Sequence, residues 1–201
     1  MLKLTTPYRK YKQCTNISIE PYHMNSDIRN NMKIILKKKV EKKCNKNGFI
    51  DEVYRIMSFS DGQLISENLS GNAIYNIKYH CKICIPIENT IIIGQAKVIN
   101  QELIVCTNGP IMIFIPKDNI DINIWENNDG YNHKKTKTKL KIGNYVKVHI
   151  LNKRINKYDT QIKTIGRLVD IASTDEVQNY FGSVIENENE EATETEASFI
   201  L

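Results

Sequence analysis

The sequence predicts an α+β protein in two parts: one helix on a small antiparallel sheet, followed by a C-terminal five-stranded β-barrel of the OB type. Three observations predict it. A single stretch, from Ser26 to Gly48, carries apolar residues at helical spacing. Gly71 to Pro86 alternates like one long strand and stops on a proline. Beyond it come short β-rich runs with one long polar excursion between the third and the fourth, the layout of a small barrel.

Taken in order, residues 1–13 are basic and without periodicity, so a flexible arm is expected there. Thr15 to Glu20 alternates as a short strand, which Pro21 ends. Ser26 is the expected N-cap of the helix, and Asp27 suits its positive end. Ile28, Met32, Ile35, Leu36, Val40 and Cys44 make the apolar stripe. Asn47-Gly48 is expected to end the helix, because glycine accepts the left-handed backbone of a C-terminus. The lysines at 33, 37, 38, 39, 42, 43 and 46 fall mostly off the stripe and read as a solvated face. Phe49 to Phe59 reads as a strand, Asp61-Gly62 as a turn, and Gln63 to Ser66 as a short antiparallel return. The strand to Pro86, with Ile77, Tyr79, Cys81, Ile83 and Ile85 on one face, completes the layer.

In the barrel half, Ile91 to Ile99 and Leu103 to Thr107 are expected to pair across Asn100-Gln101-Glu102. Ile111 to Ile115 follows the Gly109-Pro110 turn. The polar run from Glu126 to Lys141 is too long for a tight connection and is expected to be a mobile loop. Tyr145 to Leu151 places Val146, Val148 and Ile150 inward, and Ile162 to Val169 supplies the fifth strand. The expected division is an arm over 1–13, a first domain over 14–85, the barrel over 86–182 and a disordered acidic tail over 183–201.

A chain of 201 residues can hold one large or two small cores, and 41% hydrophobic with 25% charged content is ordinary for a globular protein. The start of the chain lacks a signal peptide's apolar region, and no segment approaches the ~20 apolar residues of a membrane span. The five cysteines are irregularly spaced and read as reduced thiols of an intracellular protein. The net charge of +5 is segmented: +9 over residues 1–50, −5 over 51–130, +7 over 131–182 and −6 over 183–201. Such segmentation suits a subunit with different partners on different faces.

The catalytic constellations fail one by one. No glycine-rich phosphate loop, nucleophile elbow or zinc-protease helix occurs, and the pairs Asp51-Glu52 and Asp118/Asp121 have no nucleophile beside them. Neither a catalytic residue, a metal ligand nor a cofactor is assigned. Cys81 and Cys84 stand three apart in a strand, so their sulfurs point to opposite faces rather than at one ion. His23, His80, His133 and His149 show no ligand spacing. Nucleic-acid binding fares better, because an OB barrel stacks bases on aromatics while lysines follow the phosphates. Lys97, Phe114, Trp125, Tyr131, Lys134, Lys135, Lys137, Lys139 and Lys141 are the candidates, with Lys147, Lys153, Arg154, Lys157 and Tyr158 as a second group. Phe114 sits in an apolar run and reads first as core, whereas Trp125 and Tyr131 are the better stacking candidates.

The order of these modules resembles a known family. Ile17-Ser-Ile-Glu-Pro21, the helix to Glu41-Lys-Lys-Cys44, Gly48-Phe-Ile, Asp61-Gly62 and Gly71…Tyr75…Tyr79…Pro86 are similar to the N-terminal domain of the RNA polymerase stalk subunit. That family comprises the seventh-largest subunit of eukaryotic polymerase II and its archaeal counterpart. Val98-Ile-Asn100, Asn108-Gly-Pro-Ile, Phe114-Ile-Pro116, Ile165-Gly-Arg-Leu and Asn179-Tyr-Phe-Gly182 continue the likeness through 14–182. The resemblance implies a tip domain and an S1-like OB domain in a non-catalytic subunit of DNA-directed RNA polymerase. The implied partners are the large subunits at the clamp, the small core subunit beside it and nascent single-stranded RNA, with no membrane. Cellular relatives also pair with a smaller helical stalk partner. Core docking would fall on Pro21, Tyr22, His23 and Met24, and on Asp61, Gly62, Gln63 and Leu64. Ile87-Glu-Asn-Thr90 departs from the family's acidic pattern after the linking proline, and the basic arm and acidic tail are additions. These departures resemble polymerases of large cytoplasmic DNA viruses, which implies the virion and host cytoplasm; a cellular version would be nuclear. The competing reading is a free-standing S1-type RNA-binding protein of translation or RNA processing.

Overall fold

A computed structural model of the chain describes residues 3–64, 70–127 and 130–182. The tail expected over 183–201 and the strand end at Ser66 lie outside the described residues. By its contacts the chain divides into two compact units. One comprises Tyr8–Ile85 with Ile155–Gln161, the other Met1–Pro7, Pro86–Arg154 and Ile162–Leu201.

The first unit contains strands β1 (Tyr8–Ile19), β2 (Lys43–Asn45), β3 (Gly48–Phe59), β4 (Gln63–Leu64) and β5 (Ala73–Cys84), and helix α1 (Ile28–Val40). The sheet order is β1-β5-β3-β2, with β4 also on β5, and every pairing is antiparallel. Met32 and Leu36 of α1 are fully buried in one cluster with Ile17, Ile19, Ile50, Val53, Ile77, Tyr79 and Cys81. Ile28, Ile35 and Val40 pack on that cluster from the flanks of the same stripe.

Four details differ from the sequence reading, each for a visible reason. The basic segment expected to be a loose arm enters β1 at Tyr8, because β5 pairs with it from Tyr8↔Cys84 to Ile19↔Ala73. The N-cap is Asp27 rather than Ser26, with no side-chain capping bond, and the Asn25 side chain accepts from the Asp27 N–H at 3.0 Å just before it. The helix ends at Val40 rather than Asn47, since Lys42 takes a left-handed φ of 58° and donates its N–H to Ile50 O at 2.8 Å. Cys44 therefore lies in β2, and Asn45 Oδ1 accepts from the N–H groups of Asn47 and Gly48 to turn the chain into β3. Finally, Asp61-Gly62 is a break within one strand track and not a hairpin. Ser60 N–H donates to Asn76 O and Asn76 N–H to Ser60 Oγ, both at 3.0 Å, so the chain stays on β5 and resumes at Gln63↔Ile74. Gly62 lets the Tyr75 ring lie close, since a Cβ would stand 2.7 Å from it and make the ring shift.

In the second unit, β6 (Ile91–Ile99), β7 (Leu103–Asn108), β8 (Ile111–Pro116), β11 (Tyr145–Arg154) and β12 (Ile162–Ile171) close into a barrel in the order β11-β12-β8-β7-β6. The β12–β8 pairing is parallel and the others antiparallel. Ile92, Ile104, Ile113, Val146, Val148, Ile150 and Leu168 fill the interior, as their alternation predicts. The polar excursion is not structureless: it folds a hairpin of β9 (Trp125–Asn127) and β10 (Tyr131–His133). Residues 174–182 form a second helix, α2, that the apolar pattern did not announce. Ser173 and Glu176 cap it reciprocally, each side chain accepting from the other's N–H. No helix among the described residues is long and apolar enough to cross a membrane.

Closure depends on small residues where strands crowd. A Cβ on Gly166 would stand 2.4 Å from Val148 Cγ1 and 3.1 Å from His149 O, against backbone that cannot swing away. Gly166→Ala should cost about 1–3 kcal/mol through overpacking. Differential scanning calorimetry should show a lower melting temperature, and an unchanged melt would mean that the barrel wall yields freely.

Candidate docking end and nucleic-acid face

The register of the first sheet brings the two sequence-predicted docking segments to one end. Ala73 is paired with Ile19 on one side and with Leu64 on the other. The chain leaving Ile19 forms a 3-10 turn over Pro21–His23, and Gly71, at a φ of 69°, places its Cα close to Pro21. Leu64, the partner of Ala73 on one side, is 70% exposed, and Tyr22, in the turn that follows Ala73's other partner Ile19, is 82% exposed. Pro21, Asp61, Gly62 and Gln63 are also exposed. His23 lies edge-on to the Tyr22 ring at 5.1 Å, and its carbonyl accepts from Asn31 Nδ2 at 3.0 Å, which ties the turn to α1. Met24 does not belong with them as a free contact: it is half-buried and packed on the core.

On the barrel, the candidates sort differently from the sequence reading. Trp125 and Tyr131 are each 2% exposed, so neither ring offers a face to a base. Trp125 meets the buried His133 edge-on at 5.2 Å, and the Tyr131 hydroxyl donates to Gln101 O at 2.8 Å. Burial, and then the charge of Glu102, hold that phenol's pKa above its ordinary value, so it remains a donor. These aromatics hold the hairpin whose continuation carries Lys134, Lys135, Lys137 and Lys139, all exposed. The chain folds back there because His133 N–H donates to Thr138 O at 3.0 Å and Leu140 N–H to Tyr131 O at 2.8 Å.

Phe114, read first as core, instead alternates with the buried Ile113 and Ile115 and is only half-buried. It stands in register with Val105 of β7 and with Ile165 of β12, which is 45% exposed. Lys163 and Arg167, exposed on either side of Ile165, were missed; the alternation of β12 could have found them, since Ile162, Thr164 and Leu168 face inward. Lys97 is exposed beside a bulge between Ala96 and Val98. Arg154 is exposed at the end of β11, whereas Lys153 is half-buried with its Nζ donating to Pro86 O at 3.0 Å. Lys147 is 2.6 Å from the Glu176 carboxylate and is already paired.

The buried thiols are chemically quiet. Burial pushes Cys44 and Cys81 up to about 11 and Cys106 up to about 12, and Cys84 is also raised. Among the described residues no three His, Cys, Asp or Glu side chains gather as a metal site would require.

No family model matches the chain. Over 174 residues, 86% of this chain and 87% of the relative, it is 34% identical to an Acanthamoeba polyphaga mimivirus protein named "Putative DNA-directed RNA polymerase subunit L376". The chain belongs to the DNA-directed RNA polymerase subunits of large DNA viruses.

For a polymerase subunit, the Lys147–Glu176 pair is a structural contact that removes one lysine from the binding candidates. The Lys147 hydrogen bond, and then the Ser173 N–H, depress the Glu176 pKa below its reference of 4.5. The stabilising contribution is therefore present above the ordinary glutamate value and is lost as pH falls through the depressed one. In a carboxyl-detected NMR titration, Glu176 should titrate below the exposed glutamates, and Lys147→Met should move it back upward. A Glu176 midpoint indistinguishable from theirs would remove the pair from the account.

Proposed function

We propose that this polymerase subunit is the stalk subunit, non-catalytic by itself. It docks on the core and clamp through the Tyr22/Leu64 end of its first unit and guides emerging RNA along its barrel. The observation that carries the docking reading is the exposure of Leu64, paired with Ala73, and of Tyr22, in the turn that follows Ala73's other partner Ile19. Large exposed apolar side chains gathered at one end of a sheet are the chemistry of a docking surface. The RNA reading rests on the exposed lysines 134, 135, 137 and 139 and on Phe114 in register with Ile165, which has Lys163 and Arg167 on either side along β12. Such a subunit would be found with the polymerase in the virion and in the host cytoplasm.

Tagged protein recovered from infected cells should bring down the large polymerase subunits. Tyr22→Asp with Leu64→Asp should cut that recovery about tenfold or more, as loss of two apolar anchors implies, while the melting temperature stays unchanged. Met24 is left intact in this test because its side chain packs on the core. If the wild-type chain purifies alone and still binds RNA, it is a free-standing RNA-binding module instead.

RNA binding itself has a separate readout. Affinity for a short single strand should fall by roughly 0.7 log units per contacted phosphate per log unit of salt. Reversing Lys134, Lys135 and Lys137 to glutamate should weaken binding and flatten that slope, and Phe114→Ala should cost about 1–3 kcal/mol if a base stacks there. An affinity and slope that survive the charge reversal would exclude the loop.

A further inference from the structure

The first unit holds a second surface that neither the docking nor the RNA reading uses. A groove of about 770 Å³ runs along six successive residues of β1, Tyr11 to Asn16, and is closed by the end of α1, by the turn from Lys43 to Asn47 and by Lys157 and Tyr158. Its floor includes Ile50 and the buried Tyr79. Lys12, Lys39, Lys43, Lys46 and Lys157 line it, and none of its lining residues is a carboxylate. Lys39 Nζ is already turned inward, donating to Asn16 O at 2.6 Å.

Gln13 makes the groove more than a basic patch. It is 9% exposed, and its Nε2 is buried without a hydrogen-bond partner. The amide orientation is set by its neighbours. Asn45 Oδ1 is committed to two backbone N–H groups, so Asn45 Nδ2 must face Gln13 Oε1, at 2.6 Å. The Tyr79 hydroxyl, kept protonated by burial, donates to the same oxygen at 3.3 Å. The Gln13 oxygen is thus doubly occupied, and the buried Nε2 of this groove-lining residue has no acceptor, a state that costs free energy until one arrives.

We infer that this groove binds an extended acidic segment of a partner polypeptide, its carboxylates on the lysine rim and one of its oxygens accepting from Gln13 Nε2. The polypeptide form follows from β1, whose single strand neighbour among the described residues is β5, leaving its other edge along the groove. Such an edge is the template on which extended peptides add. Nucleic acid fits less well, because Lys157 already covers the Tyr158 ring at 4.8 Å and Tyr79 is buried. The inference does not rest on the Tyr22/Leu64 docking reading.

The test uses the full chain and a fluorescein-labelled dodecapeptide of alternating Glu and Thr, which in a strand puts its carboxylates on one side. Fluorescence anisotropy should show saturable binding that weakens with salt, and the matching Lys-Thr peptide should not bind. Lys12→Glu, Lys46→Glu and Lys157→Glu together change exposed side chains only and should reduce affinity about tenfold or more. Gln13→Leu should reduce it by about fivefold with the salt dependence retained. Affinity unchanged by the triple reversal overturns the inference. It is also overturned if a single-stranded oligouridylate of equal length binds these lysines more tightly than the peptide. A third overturning result is a gain of about tenfold in peptide affinity when the six glutamates of residues 183–201 are changed to glutamine, which would make the chain's own tail the occupant.

Discussion

The first unit depends on β5 being paired along both of its edges. Twelve residues of β1 lie on one side of it, and β3 followed by β4 on the other. Each ladder bond is worth only about 0.5–1.5 kcal/mol net, so the individual bonds matter less than the register they impose together. That register puts Ile77, Tyr79 and Cys81 under α1, and it sets Ile19 and Leu64 opposite the same residue, Ala73. The proposed docking end is therefore a product of sheet register and not of either loop alone. A slip of one residue would turn the buried set outward and take Ile19 and Leu64 off their shared partner.

The barrel solves a different problem, which is to close without leaving an edge while still presenting a basic loop. Closure comes from the parallel β12–β8 pairing, and Gly94 and Gly166 let walls approach where side chains would collide. Presentation comes from burying Trp125, Tyr131 and His133, so that the lysines following them leave from a fixed base. A tryptophan beside a lysine run looks like a stacking residue in sequence. Its larger return is as an anchor, because burying so much apolar surface offsets the entropy of ordering a polar excursion.

Much of this was legible in the chain. The stripe of Met32 and Leu36, the alternation of β5 and the five barrel strands follow from period alone, and so does the inward set Val146, Val148 and Ile150. What was not legible depended on partners distant in sequence. Tyr8 to Lys12 shows no burial alternation, so only the pairing offered by β5 makes it a strand. Asp61-Gly62 carries turn chemistry, yet the Ser60–Asn76 bonds and the Tyr75 ring decide that the track continues. Helix α2 is the instructive miss: Ser173-Thr-Asp-Glu176 is a capping box, a local signal that apolar periodicity does not weigh. For the site, exposure was the missing quantity. Residue chemistry alone carries no exposure: burial moved Trp125, Tyr131 and Met24 from contact to scaffold and Phe114 from core to a half-buried position.

That redistribution changes the character of the RNA surface proposed for the barrel. With both predicted stacking rings buried, the candidate groups left are exposed lysines on a loop, a half-buried Phe114 and, on the neighbouring strand, Lys163 and Arg167. Ammonium groups follow phosphates and carry no base information, and a single ring stacks on any base. The His133 and Leu140 N–H groups are committed within the hairpin. A face of this composition tracks a strand by charge and tolerates its sequence. The proposed role of guiding transcript needs that tolerance, since a sequence-reading face would hold some transcripts and release others.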